Sequence, residues 1–261
     1  MSRTPLALQL EFAVETAWRA GRVTLRYFQT GTRVEAKRDL SPVTAADREA
    51  EALVRAAITE RFPTDGLLGE ELGELNPGAR RRWIVDPIDG TRSFVHGVPL
   101  YGVMLALEED CDAVLGVLHF PALNETVWAA RGEGCWFDGR RARVSETARV
   151  SEALVCATDP ALFEAAGRGE AWDRVRVRAG MTRTWGDCYG YALVATGRAE
   201  AMLDPTLEAW DSAALKPIVE EAGGVFTDWR GARTHLGGSA VATNAGIASE
   251  LRAALEGSDA G

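Results

Sequence analysis

Two stretches of this chain, "LLGEELGE" and "WIVDPIDGT", each set carboxylates directly behind an apolar run. Glu70 and Glu71 follow Leu67 and Leu68, and Asp86 and Asp89 follow Trp83, Ile84 and Val85. A third stretch, "LEAWDSAAL", puts Asp211 at a predicted helix start. Singly, each acid has an ordinary reading: a solvated loop acid for Glu70, a turn for Asp86 and Asp89, an N-cap for Asp211. Together they are what a hard divalent cation requires. Mg2+ takes oxygen ligands in near-octahedral geometry and keeps positions for water and phosphate oxygens. The Asp-x-x-Asp turn around Pro87 can also aim the Ile88 carbonyl at the same point.

The elements that must carry these acids can be read from periodicity. Apolar residues from Pro5 to Phe28 follow a helical period, and a second helix begins near Thr44 with Leu53, Val54, Ala57, Ile58 and Phe62 on one face. Strands are predicted at Trp83 to Val85, Val103 to Leu107, Ala113 to His119, Glu125 to Ala129 and Cys135 to Phe137. Strands following one another in this way predict an antiparallel sheet. Past about residue 140, helical "CYGYALVATG" and "WDSAALKPIVEEAGG", the latter stopped by Gly223, alternate with short strands "AEAMLD", "GVFTD" and "AVATN". The expected organisation is an α+β half with the sheet and metal loop over 1–140 and an α/β half over 141–261 completing the site. The halves share a core and count equally well as one domain.

Composition excludes several function classes. A chain of 261 residues buries roughly three quarters of its unfolded surface and needs no staples. Cys111, Cys135, Cys156 and Cys188 form no CxxC pair, and "MSRTPLALQLEFAVETAW" mixes charges into a helical period; a reduced cytoplasmic protein is expected. No apolar run approaches the roughly 20 residues of a membrane helix, so a spanning protein is not expected. The formal charge of −9 disfavours nucleic acid as a partner and suits a cation.

"GEE", "WIVDPIDGT" and "WDSAALKPIVEEAGG", in this order and at these separations, resemble the inositol monophosphatase superfamily of Mg2+-dependent, lithium-sensitive phosphatases. The resemblance runs from "KRDLSPVTAAD" near residue 37 to "ATN" near residue 243. Within the superfamily, "RTWGDCYGYALVATGRAEAMLDP" is most similar to the bacterial histidinol-phosphate phosphatases. The resemblance implies a layered αβαβα sandwich of the sugar-phosphatase type, two or three Mg2+ per active site, and a homodimer acting on a small phosphorylated metabolite. It implies that Glu70, Asp86 and the Ile88 carbonyl hold one ion and that Asp86, Asp89 and Asp211 hold another. Thr91 would hold the attacking water, with Asp47 accepting from that threonine; spacing alone leaves open whether Asp47 is catalytic or only caps a helix with Thr44. Gly90 and Thr91 lie where backbone N–H groups can meet phosphate.

Substrate choice rests on Gly186-Asp187-Cys188, where inositol phosphatases carry a small residue after the glycine, and on Asp204, seven residues before Asp211. Two acids near the leaving group favour a cation such as histidinol phosphate over a neutral polyol. The other reading stays open: Asp204 as a turn acid before Pro205, and Asp187 paired with Arg183. Arg183 itself either reaches a site, its own or a dimer partner's, or balances its neighbours. An inositol phosphatase, a broad sugar and nucleotide phosphatase, and a non-catalytic Mg2+-dependent binding module are the alternatives. His96, His119 and His235 show no metal-like spacing, Cys188 is expected to pack, and Trp83, Trp185 and Trp210 are expected to wall the site.

Overall fold

Alternation along the strand Arg81–Asp89 sends side chains to two different interiors. Trp83 and Val85 join a cluster with Ala13, Ala17, Val54 and Ile58, whereas Ile84 joins one with Met104, Leu118, Leu215 and Ile218. A sheet with both faces apolar must be covered on both, and each fully buried aliphatic side chain contributes about 1.5–3 kcal/mol. The structure, a computed structural model, describes residues 6–31, 34–36 and 42–257. Pro5 and the "KRDLS" end of the resemblance lie outside the described residues.

The larger sheet has eight strands in the order 140–141, Gly134–Phe137, Glu125–Ala130, Asp112–Phe120, Gly102–Glu109, Arg81–Asp89, Gly66–Gly69 and Gly73–Leu75. Helices Leu6–Leu25 and Ala45–Arg61 cover one face. Helices Asp187–Ala195 and Leu215–Glu221 cover the other and pack their far sides on a second sheet. That sheet has five strands in the order Met181–Arg183, Leu154–Ala157, Ala201–Asp204, Ala240–Thr243 and Val225–Thr227. Its outer face is closed by Trp172 and Val175 of helix Gly169–Arg178 and by Leu251 and Leu255 of helix Ala248–Glu256. The layers therefore run αβαβα, as expected. No helix among the described residues is long and apolar enough to cross a membrane.

The five predicted strands of the first half are present, each extended by one to six residues. They pair antiparallel with one another, as expected; Gly66–Gly69, where no strand is predicted, is the exception and pairs parallel to Arg81–Asp89. The helix read through "WDSAALKPIVEEAGG" is instead two helices, Ala209–Ser212 and Leu215–Glu221. Pro217 has no N–H to give the Ala213 carbonyl, which weakens a continuous ladder there. Gly223, at φ +88°, ends the second helix as predicted.

Candidate functional site

The unpredicted parallel pairing positions the first acid. With Gly69 opposite Val85, the chain leaves the strand so that the Glu70 N–H donates to the Val85 carbonyl at 3.2 Å, one residue from Asp86. The next turn is fixed by Glu51, buried on the second helix, which accepts the N–H groups of Glu71 and Leu72 at 2.7 and 3.1 Å. Asp86 itself is 2 % exposed, and its Oδ1 accepts the Ile88 N–H at 3.0 Å. Register shifts between Asp86 and Asp89, and this irregularity is what turns Asp89 towards the same point as Asp86. Gly90 follows at φ +82°, where a Cβ would lie 3.0 Å from both the Asp187 carboxylate and the Leu100 carbonyl. Only glycine fits there. Asp211 arrives from the second half as the third residue of Ala209–Ser212, not as its N-cap, with Oδ2 accepting the Glu208 N–H at 2.7 Å.

Ligand oxygens of Asp86, Asp89 and Asp211 lie within 4.8 Å of one another. Glu70 completes the group, since its charge acts on both Asp86 and Asp211. Burial, then the neighbouring charges of Glu70, Asp89 and Asp211, push Asp86 well above the usual carboxylate range. Burial and the charges of Asp187 and Asp211 do the same to Asp89, and burial raises Asp211 to about 7. Among the described residues, Asp86, Asp89 and Asp211 have no ion-pair partner. Buried carboxylates held together without a cation fit an all-oxygen divalent site: the donor set is the hard kind, and the mutual repulsion is what bound ions would relieve. The Ile88 carbonyl accepts from the Thr91 hydroxyl at 3.0 Å and keeps a second lone pair.

These acids open on a cleft of about 780 Å³ lined by Asp89, Gly90, Thr91, Thr158, Asp187 and Asp204 among others. Asp204, 2 % exposed at the end of strand Ala201–Asp204, accepts the Tyr191 phenol at 2.8 Å; burial raises its carboxyl to about 7. Asp187 opens helix Asp187–Ala195 at φ +51°, a sparsely populated conformation for any residue with a Cβ. Burial raises it to about 6, and Arg92 pulls the other way. Cys188 donates its N–H to Asp89, and burial pushes its thiol well up, so it packs as expected.

Several expectations are corrected. Arg183 does not line the cleft and does not pair with Asp187: it is exposed, donates to the Thr182 carbonyl at 2.8 Å and lies 5.9 Å from the Trp185 ring. The strand Met181–Arg183 is the sheet edge, which points Arg183 outward, and Arg92 is the cation facing Asp187 instead. Asp47 does not accept from Thr91. Its Oδ2 takes the hydroxyl and N–H of Thr44 at 2.6 and 2.8 Å in a capping box, while Oδ1 is buried without a partner. None of the three tryptophans lines the cleft: Trp83 packs under the first two helices and donates to Asp65, Trp210 packs on the central core, and Trp185 is 41 % exposed. Sequence reading missed Arg92, Thr158 and Tyr191. Tyr191 was legible in principle, since it lies one helical turn after Asp187 and shares its face.

The histidines are structural, as expected. His119 is buried and held down to about 4 by burial, and His96 hydrogen-bonds the Arg92 carbonyl at 2.8 Å. His235 pairs with Glu108 of the larger sheet at 2.8 Å while its carbonyl accepts the Ser212 hydroxyl at 2.7 Å. This chain of contacts fastens the Asp211 helix to the sheet that carries Asp86.

A five-layered α/β sandwich with converging carboxylates where its two sheets meet defines a class of protein built around an acidic site for divalent cations. More narrowly, the chain belongs to the inositol monophosphatase family, whose model matches residues 7–258. It is 48% identical to the histidinol-phosphatase of Chlorobaculum parvum over 248 residues, 94% of this chain and 96% of that protein. It is 40% identical to the histidinol-phosphatase of Mycobacterium tuberculosis, covering 90% of this chain and 93% of the relative. Among solved structures it is similar to an inositol monophosphatase from Zymomonas mobilis at a TM-score of 0.87 and 32% identity, over 97% of this chain and 100% of that one.

Proposed function

We propose that the protein is a Mg2+-dependent phosphomonoesterase that hydrolyses L-histidinol phosphate to L-histidinol and phosphate, in the biosynthesis of histidine. The observation that carries this reading is the pairing of two kinds of acid in one cleft. Glu70, Asp86, Asp89 and Asp211 suit divalent cations at one end, and Asp187 and Asp204 line the remainder. An amine and an imidazole on the leaving alcohol would meet two carboxylates there, whereas a neutral polyol would leave them unmatched. Charge-assisted hydrogen bonds of this kind give about 1.5–3 kcal/mol each.

Bound Mg2+ supplies Lewis-acid charge that lowers the pKa of a coordinated water and neutralises phosphoryl oxygens. Glu70, Asp86, the Ile88 carbonyl, Asp89 and Asp211 are the groups that would hold it. The chain's own part is positional. Thr91 presents a hydroxyl and, with Gly90, backbone N–H groups at the cleft floor, and Glu70 accepts the proton of the attacking water. Asp47 lies close enough to Glu70 for their charges to interact, and supports the site through the Thr44 cap.

A turnover panel of histidinol phosphate, inositol phosphate, fructose bisphosphate and adenosine bisphosphate tests the reading. The kcat/KM for histidinol phosphate is expected to exceed the others by about 10-fold or more, and Asp204→Asn is expected to erase most of that margin through KM. Equal rates on all four esters would sink the assignment.

The same reading places the enzyme in the cytoplasm as a homodimer. The four cysteines are free thiols, which suits a reducing compartment. Val177, Met181 and Trp185 are 70%, 46% and 41% exposed on and beside the open edge of the smaller sheet, which suits a second copy. Light scattering at micromolar concentration is expected to give twice the chain mass of 28.1 kDa; the mass of a single chain would refute the dimer.

A further inference from the structure

Thr158 stands where the strand Leu154–Ala157 runs out into the cleft, and the leaving-group end of the site is tied together on it. Its hydroxyl oxygen accepts the Asp187 N–H at 2.9 Å. The parallel register that sets Ala157 beside Leu203 also brings Thr158 next to Asp204, whose carboxylate its hydroxyl and N–H help to stabilise. Gly186 approaches so closely that a Cβ there would lie 2.3 Å from the Thr158 Cα. One hydroxyl carries a proton and two lone pairs, so it can take an amide and serve a carboxylate at once.

These contacts close a ring. Asp187 opens the helix Asp187–Ala195, and Tyr191 lies one turn along it and donates to Asp204 Oδ2 at 2.8 Å. Asp204 returns to Thr158, and Thr158 returns to the backbone of Asp187. Without Thr158 the helix still holds Asp204 through Tyr191, but nothing on the strand side fixes Asp187, whose left-handed φ of +51° has to be imposed by its surroundings. The distance between the two carboxylates would then be free to vary.

We propose that Thr158 is a positioning residue for substrate choice: its single hydroxyl sets the spacing of Asp187 and Asp204 and so selects phosphate esters whose alcohol carries a matching cation. This rests on the reading of the cleft as a site for such an ester. The ring acts before the substrate arrives, because two anions already at the right separation need no reordering on binding.

The test measures kcat and KM of the Mg2+-loaded enzyme on histidinol phosphate and on p-nitrophenyl phosphate, which has no cation, for wild type, Thr158→Val, Thr158→Ala and Thr158→Ser. In the valine and alanine variants the ratio of kcat/KM for histidinol phosphate over p-nitrophenyl phosphate is expected to fall about 10-fold or more, chiefly through KM. Serine keeps the hydroxyl and is expected to hold the ratio within about 3-fold of wild type. An unchanged ratio in the alanine variant, or a serine variant as poor as alanine, overturns the inference. A wild-type enzyme with no preference for histidinol phosphate overturns both this inference and the functional reading. A preference that persists undiminished in Thr158→Ala overturns this inference alone.

Discussion

Replacing Asp86 with asparagine is expected to cut phosphatase turnover by about 1,000-fold or more while making the metal-free protein more stable than wild type. Both effects come from one geometry. Asp86 is buried at the centre of the acid cluster, with the charges of Glu70, Asp89 and Asp211 all disfavouring its ionised form. In the absence of a cation the fold prefers this group neutral, and asparagine is neutral at every pH. The amide oxygen can still accept the Ile88 N–H, so the turn that delivers Asp89 keeps its hydrogen bond. With Mg2+ the order is expected to reverse, because the variant lacks a carboxylate that would hold the ion. Thermal denaturation in EDTA is therefore expected to show Asp86→Asn melting a few degrees above wild type, about 2–4 °C for each kcal/mol of repulsion relieved. In excess Mg2+ it should melt below wild type. A variant that keeps more than about a tenth of wild-type kcat would show that the cluster is not the catalytic centre.

The layered fold was legible because its strands advertise themselves. "WIVD", "VMLAL" and "AVLGVLH" are apolar on successive residues, which only a sheet covered on both faces can accommodate. Gly66–Gly69 was not legible, since two leucines between glycines give no period, and its parallel partnership with Arg81–Asp89 is a tertiary choice. That missed strand is also what carries Glu70 to the site, so the acid was identified by its surroundings in sequence while the reason for its placement lay elsewhere in the chain.

Side-chain direction was the other limit. Arg183 and Asp187 are four residues apart and of opposite charge, which reads as a pair, yet one belongs to a sheet edge and the other to a helix start, and they point apart. Arg92 takes that place from 95 positions away in sequence, a contact no spacing rule reaches. Thr44 and Asp47 went the other way. Their spacing read equally as a cap or as catalytic, and the capping box is formed in full.

Metal-free protein is expected to lose stability as pH rises from about 6.5 to 8.5, and Mg2+ is expected to remove most of that slope. Asp211 titrates near 3.9 in an unfolded chain and at about 7 in the fold, because burial opposes its charge. Between those values the folded state binds more protons than the unfolded state, so stability falls with rising pH; below about 4 both forms are protonated and there is no effect. Asp86 and Asp89, raised well above the usual carboxylate range, have the same sign, and so has Asp204, raised to about 7 but set apart from the metal acids. His119 has the opposite sign: burial lowers it to about 4, so stability grows with pH until its unfolded value near 6.5 is passed. Glu108 is pushed up by burial, but the His235 hydrogen bond and the Arg82 charge outweigh that and hold it low, so its contribution is lost only in more acid solution. Between about 6.5 and 8 the site's own acids dominate, and Cys135, Cys156 and Cys188, held protonated by burial, add a smaller fall of the same sign as pH nears the unfolded thiol value of about 8.5. Asp211 alone gives roughly 1 kcal/mol across the window, and with its neighbours the melting temperature in EDTA is expected to drop by about 5 °C. Bound Mg2+ replaces the missing protons as the counter-charge, and at 100 times its Kd it adds about 2.7 kcal/mol to the folded state. A melting temperature in EDTA that stays level from pH 6.5 to 8.5, or a slope that saturating Mg2+ leaves undiminished, would mean that the carboxylates are not balanced by a divalent ion at this site.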